Sequence, residues 1–424
     1  MVWRGAAPAR MVSRTPRVRV GFALGSWQVV ALAAALAEAD AHDRTGAPCE
    51  DHLVLYETVP VSEALKAAMH EIGAVARPWR SIVGAFERMA SVRRKIGQGE
   101  FDALKEGLRA HLGLPRIDEL WLCFLARAPE KLLMEASPDA SVQVYEDGLF
   151  SYLPQPPTPL EPDPRSLPWP ARAPAALRAW LDARRPVRRF RRHKHWLDPR
   201  HAARIAGTWM LLADLWPPPQ VLAQVPRHAV ATERLRDVLA ACRRLPAVAS
   251  YALPALPRPA VLVLGQTLSR WGALSRADEL AIYADAIALI VERGYDVWWK
   301  EHPRAQEPFF AELAAGAPSG RVREVDLPFA LPVELVADRM GLAACVAGIS
   351  TAIFYLPRLV GVPSFTFADA LARVLDGRWA LQNDLVRRAA TPLSELPAAS
   401  AVASAASPAV DASAAPSPPS VLSP

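Results

Sequence analysis

The chain has 424 residues, of which 51% are hydrophobic and 22% charged, and it carries a formal net charge of +6. A length of this order exceeds one ordinary core, so two packed domains are expected. The cysteines Cys49, Cys123, Cys242 and Cys345 are scattered without paired spacing. That suggests neither a disulfide framework nor a zinc site, and a reducing compartment fits best.

From the N-terminus, Val18–Leu24 reads as a strand, Trp27–Ala39 as a helix, His52–Tyr56 as a strand and Ser62–Ile72 as a helix. The basic start and the apolar stretch Gly21–Ala37 mimic a signal peptide, but Ser26 and Gln28 interrupt it and the period changes at Gly25. Strand-turn-helix is therefore the expectation. A long helical region is expected over Ser81–Leu112, then a strand at Glu119–Phe124, a helix at Ala128–Ala136 and a strand at Val142–Tyr145. Proline density breaks the pattern from Pro154 to Pro186, with a short helix expected at Ala175–Ala183 and another at His201–Leu215.

A second alternating half is expected to begin near Pro226. It comprises a helix at Thr232–Arg243, strands at Ala260–Leu264, Tyr295–Trp299, Val322–Val325, Ala343–Ala347 and Ser364–Phe367, and helices at Arg276–Arg293, Pro332–Gly341, Ala352–Leu359 and Asp369–Arg388. Strands alternating with helices predict parallel α/β sheets. The domains expected are 1–153, a Pro/Arg-rich connector at 154–225, a second α/β domain at 226–368, a helix at 369–390 and an Ala/Ser/Pro tail at 391–424. Low aromatic content predicts disorder in that tail.

Charge is unevenly placed. The run Arg184–His195 carries seven formal positive charges and includes Arg188, Arg189, Arg191 and Arg192. Such a block points to a polyanion or an anionic membrane surface, against the plainer reading of a solvated basic loop. No nucleic-acid-binding pattern accompanies it. His193 and His195 have metal-like spacing but sit among arginines that repel a cation.

Three signals fall at strand ends, where an open α/β sheet places its ligands. Val144-Tyr145 runs into Glu146-Asp147-Gly148, two adjacent carboxylates and a glycine that lets the backbone turn. Like charge and partial burial raise one carboxyl toward the range of a general base, whereas an ordinary Asp-Gly turn needs no ligand. Trp298-Trp299-Lys300-Glu301 leads into His302-Pro303. Here the proline restricts the histidine backbone, and the imidazole can protonate a leaving group or simply lie at the surface. Gly348-Ile349-Ser350-Thr351 precedes an expected helix, so its hydroxyls either cap that helix or bind an anion at its N-terminus. Gly265 and Gln266 follow a strand and are placed to touch a nucleotide. No Walker sequence, dinucleotide fingerprint or Gly-x-Ser-x-Gly elbow occurs.

The order Tyr145-Glu146-Asp147-Gly148, Lys300-Glu301-His302-Pro303, Ser350-Thr351 resembles that of bacterial sialyltransferases with the two-domain GT-B fold. The context Asp118-Glu119-Leu120-Trp121 through Tyr145–Leu153 is most similar to the bacterial α-2,8-polysialyltransferase family. The resemblance covers roughly residues 17 to 390. It implies two Rossmann-like domains facing each other across a cleft. It also implies a CMP-sialic acid donor, inverting transfer to a glycan, no cofactor and no metal.

On this chain Glu146 is then the general base, Asp147 its helper, and His302 the group that protonates or stabilises the departing phosphate. Which acid is the base stays open. Ser350 and Thr351 bind that phosphate, with Gly265, Gln266, Lys300 and Pro303 completing the donor side. Arg188, Arg189, Arg191 and Arg192 hold an anionic glycan acceptor or dock the chain peripherally on the inner membrane face, with a cytoplasmic location. Two rivals remain: a CMP-Kdo-dependent or other GT-B transferase, and a glycan-binding protein without catalysis.

Overall fold

The computed structural model describes residues 15–57, 61–86, 101–113, 116–125, 128–152, 168–184, 199–217, 222–254, 256–302, 305, 307–325, 327 and 331–401. The first sheet contains β1 (Arg17–Ala23), β2 (Cys49–Leu55), β3 (Ser81–Gly84), β4 (Glu119–Leu122), β5 (Ser141–Tyr145), β6 (Ile205–Met210) and β7 (Arg227–Ala229). The second contains β8 (Ala260–Leu264), β9 (Asp296–Lys300), β10 (Val322–Glu324), β11 (Leu342–Ala347), β12 (Ser364–Thr366) and β13 (Thr391–Pro392). The orders are β3-β2-β1-β4-β5-β6-β7 and β10-β9-β8-β11-β12-β13, parallel throughout.

Each sheet reverses its winding direction beside its first strand, between β1 and β4 and between β8 and β11. Outside the carboxyl ends at such a point the flanking loops diverge and leave a crevice. The sequence supports this arrangement because the central strands are apolar on both faces. Every residue of Ala260–Leu264 and of Asp296–Lys300 is buried. The helix Ser26–His42 buries an unbroken run from Val29 to Leu36. It is covered on one side by the sheet and on the other by the helices Glu63–Ala76 and Thr232–Cys242. Serines start two other helices: Ser62 Oγ accepts from Leu65 N at 3.2 Å, and Ser275 Oγ accepts from Asp278 N at 3.0 Å.

Several expectations need correction. Ile205–Met210, expected inside a helix, is strand β6. A short apolar run does not distinguish a buried strand from a helix turn by its period. Gly207 carries the distinction, since a β-carbon there would lie 2.6 Å from Gln143 Oε1 on the neighbouring strand. Ser81–Gly84, placed in a long helix, instead pairs with β2, and the helix of that region is Phe101–Leu112. Over Pro332–Gly341 the chain makes two separate 3₁₀ turns, Val333–Leu335 and Ala337–Arg339. The helix expected at Ala175–Ala183 spans Trp169–Arg184.

The domain limits shift accordingly. β6 and β7 belong to the first sheet, and the helix Thr232–Cys242 packs on first-domain helices. The first domain therefore extends through Cys242 rather than ending at 153, and its last elements occupy what was expected to be connector. At the other end, Asp369–Arg388 divides into Ala368–Leu371 and Gly377–Ala389. Thr391–Pro392 then adds an edge strand, and Ala399 N donates to Arg293 O at 2.8 Å, so structure continues past 391. The rest of the expected tail, from 402, lies outside the described residues. Among the described residues no helix is long and apolar enough to cross a membrane.

Trp299 lies fully buried beneath Gly265, its ring 4.9 Å from that of Tyr283. Trp299→Ala is expected to lower stability by about 3–5 kcal/mol, read from urea unfolding followed by circular dichroism.

Candidate active site

The carboxyl ends of the two sheets enclose a cavity of about 620 Å³. From the first domain it is lined by Leu24 and Gln28 after β1, Phe124 after β4, and Asp147–Phe150 after β5. From the second it is lined by Gly265–Leu268 after β8, His302 after β9, and Ile349–Thr351 after β11. Trp271, and Trp379 and Gln382 on the helix Gly377–Ala389, complete the wall, and Trp379 meets Phe150 across the gap with ring centroids 6.0 Å apart.

The two acids part company at the end of β5. Asp147 faces the cavity, where Gln28 Nε2 donates to its Oδ1 at 2.7 Å and its own N–H donates to Ser151 Oγ at 2.8 Å. Gly148, at φ +112°, turns the chain at a backbone angle that side chains rarely permit. A β-carbon placed on it would lie 3.4 Å from Thr351 Cγ2 and 3.5 Å from Thr351 Oγ1. The acid-acid-glycine motif of one domain thus leaves room for no more than a methyl group before the serine-threonine motif of the other.

Glu146 is buried, away from the cavity lining. Its Oε2 accepts from Leu211 N at 2.7 Å, Leu212 N at 3.1 Å and the Tyr152 hydroxyl, while Oε1 accepts from the hydroxyl of Tyr355 in the second domain. The expectation that Glu146 meets the acceptor is therefore corrected: four donors enclose its carboxylate, and Asp147 is the acid presented to the cavity. Burial pushes the Glu146 carboxyl up to about 7, against these donors, which pull it down.

On the second domain, the Ser350 hydroxyl accepts from Ala352 N at 3.3 Å, and both Ser350 and Thr351 remain partly exposed at the start of the helix Ala352–Val360. That end presents N–H groups and the positive end of the dipole to the cavity. His302 follows an anchored neighbour: Glu301 accepts from Phe309 N at 2.6 Å and Phe310 N at 2.9 Å, tying the residue after β9 to the start of the helix Phe310–Gly316. Gln266 lines the cavity, but its amide is committed to Ile349, accepting from N at 3.0 Å and donating to O. It shapes the loop before Ser350. Gly265 is equally tight, with a β-carbon there 2.8 Å from Trp299 Cζ2.

Lys300, expected at the donor, does not line the cavity. It is buried in the second domain, and burial pushes its ammonium down to about 8 although Glu334 and Glu301 oppose this. The alternation of a strand explains the miss: Lys300 ends β9 with its side chain in the core, and the chain reaches the cavity only at His302. Pro303 and the arginines Arg188, Arg189, Arg191 and Arg192 lie outside the described residues.

Sequence reasoning missed Gln28, Tyr152 and Tyr355. For Gln28 a signal existed, a polar residue in the first turn of an otherwise apolar helix. Tyr355 had none, because its partner Glu146 is 209 residues away in sequence, and Tyr152, six residues from Glu146, was read only as part of the surrounding motif.

Two facing doubly wound domains with polar groups converging at both switch points define the GT-B architecture. A family model described as Alpha-2,8-polysialyltransferase (POLYST) matches residues 114–369, more than half of the chain. The chain belongs to that family and is a glycosyltransferase. No curated protein matches it. Among solved structures it is similar to a putative UDP-N-acetylglucosamine 2-epimerase from Listeria monocytogenes, with 10% identity, 92% of this chain and 96% of that chain covered, and a TM-score of 0.45. It is also similar to Phytolacca americana UGT2 complexed with UDP-2fluoro-glucose and pterostilbene, with 12% identity, 88% and 84% covered, and a TM-score of 0.45. A third is E. coli heptosyltransferase WaaC with ADP, with 13% identity, 82% and 86% covered, and a TM-score of 0.36.

The raised carboxyl of Glu146 has a consequence for stability. Between about 4.5, the ordinary value, and about 7, the folded chain keeps a proton that the unfolded chain has released. Its contribution is therefore greatest below that window, falls as pH rises through it, and is constant above. The Tm of the wild type is expected to fall relative to that of Glu146→Gln across this window and to run parallel at higher pH, in thermal scans in a buffer series.

Proposed function

We propose that the protein transfers sialic acid from CMP-sialic acid to a hydroxyl of a glycan acceptor, with inversion and without a metal. The observation that carries this reading is the single cavity that Asp147 and Gly148 line from one domain and His302, Ser350 and Thr351 line from the other. A carboxylate from one domain and an imidazole with hydroxyls from the other lie on the same space, as an in-line displacement at an anomeric carbon requires.

In this reading the acceptor oxygen attacks the anomeric carbon of the sugar, forming the new C–O bond. Asp147 receives the acceptor proton. The bond from that carbon to the phosphate oxygen breaks, and its electron pair leaves with CMP. His302 donates to the phosphate, and Ser350, Thr351 and the helix N–H groups spread its charge. Gln28 holds the Asp147 carboxylate in orientation. The basic run containing Arg188, Arg189, Arg191 and Arg192 retains an anionic acceptor chain and holds the enzyme against the inner face of the plasma membrane, on the cytoplasmic side.

CMP release is expected from CMP-sialic acid, unaffected by EDTA, and not from CMP-Kdo. Asp147→Asn is expected to lower kcat by about 10²–10⁴-fold, and His302→Ala by about 10²-fold, with Tm little changed. Release from CMP-Kdo alone transfers the reading to a different keto-sugar donor. Full in vivo glycan synthesis by both variants overturns catalysis at this site. Neutralising the four arginines is expected to weaken retention on polysialic acid and on anionic vesicles and to flatten its salt dependence, in co-sedimentation at a series of ionic strengths.

A further inference from the structure

The helix Ala352–Val360 lies in the chain between β11 and β12 of the second sheet, yet its inner face is bonded to the first domain. Tyr355, 2% exposed, packs its ring 4.6 Å from that of Trp27 and donates its hydroxyl to Glu146. Phe354 meets Trp216 edge-on, with centroids 4.8 Å apart, and Trp216 lies 5.1 Å from Tyr152, which donates to the same carboxylate. At the far end Arg358 pairs with Asp214 at 2.8 Å and 3.1 Å.

The near end of this helix carries Ser350 and Thr351, and the residue after Glu146 is Asp147. A short rigid path therefore joins the two sides of the cavity: Asp147 to Glu146 through one peptide bond, Glu146 to Tyr355 through one hydrogen bond, and Tyr355 to Thr351 through one helix turn. The surroundings of Glu146 suit a carboxylate in particular. Two phenols and two backbone N–H groups point at it, all of them donors. A glutamine in its place would turn an –NH₂ toward other donors.

We infer that Tyr355 is a positioning residue, which through its bond to Glu146 sets the phosphate-binding end of the helix Ala352–Val360 at the separation from Asp147 that sugar transfer requires. The inference rests on the roles given above to Asp147, Ser350 and Thr351. Donor binding draws on the second domain, whereas transfer needs both domains in register. Loss of the hydroxyl separates these two properties.

The test compares wild type with Tyr355→Phe, which keeps the ring against Trp27. CMP affinity is measured by calorimetry, and kcat for CMP release from CMP-sialic acid with acceptor present is counted per CMP-binding site on the same sample. The expected result is a kcat lowered about 10-fold or more, as misplacement of reacting groups produces, with CMP affinity within twofold of wild type. The midpoint of the acid limb of kcat against pH is expected to stay in place, because Asp147 is the titrating base.

An unchanged kcat overturns the inference, and so does loss of CMP binding. An acid limb moved to higher pH also overturns it, since removing a donor from Glu146 raises that carboxyl and the shift identifies Glu146 as the base. A wild type that neither binds CMP nor releases it overturns the functional reading, and the inference with it. A wild type that turns over, matched by Tyr355→Phe, overturns the inference alone.

Discussion

The Glu146 carboxylate, buried where the two domains meet, is the point on which the geometry of the cavity depends. A buried acid needs donors on all sides, since an uncompensated charge away from water is costly. Here the donors come from three places: Tyr152 just downstream, the amides of Leu211 and Leu212 after β6, and Tyr355 from the second domain. Satisfying this group therefore obliges the end of β5, the end of β6 and the helix Ala352–Val360 to converge. Asp147 inherits its place from that convergence. Successive side chains of extended backbone point to opposite sides, and the positive φ of Gly148 then turns the chain away. One acid is directed inward and the other into the cavity.

The second domain meets this with a loop that has little freedom. The amide of Gln266 holds both backbone groups of Ile349, tying the exit of β8 to the exit of β11. A β-carbon on Gly348 would fall 2.5 Å from both Gln266 Oε1 and Leu371 Cδ1, so backbone and side chain pack there without spare volume. Donors held in place before a ligand arrives need no reorganisation when charge develops. Gln266 thus matters to an anion at Ser350 and Thr351 through the backbone it fixes.

How much of this was legible in the sequence follows the range of the interactions involved. Strands buried on both faces announce themselves locally, and Ala260–Leu264 begins and ends where its apolar run does. Ser81–Gly84 and Ile205–Met210 do not, because they are strands by virtue of pairing with β2 and β5. The motifs at 146–148, 302 and 350–351 were visible as polar residues at strand ends, and all but Glu146 face the shared cavity. The exchange of roles between Glu146 and Asp147 was not visible. It is decided by Tyr355, 209 residues along the chain, and no local pattern records a bond of that span. Lys300 failed for a related reason: its neighbours suggested a site, while its side chain faces a core containing Glu334.

The choice of Gln28 as the partner of Asp147 bears on the chemistry. An arginine or lysine at this position would hold the carboxylate more strongly but would stabilise its charged form and weaken it as a proton acceptor. A neutral amide, at 2.7 Å, fixes the orientation without adding a positive charge of its own. Around it lie the first turn of the helix Ser26–His42, which carries Gln28 and directs its positive end toward the cavity, and the buried Glu146 one residue away. The aspartate is thus oriented by an amide at the start of a helix, one residue from a buried acid. A cavity built in this way holds its carboxylate in a fixed orientation, which is a requirement placed on a general base beside a departing phosphate.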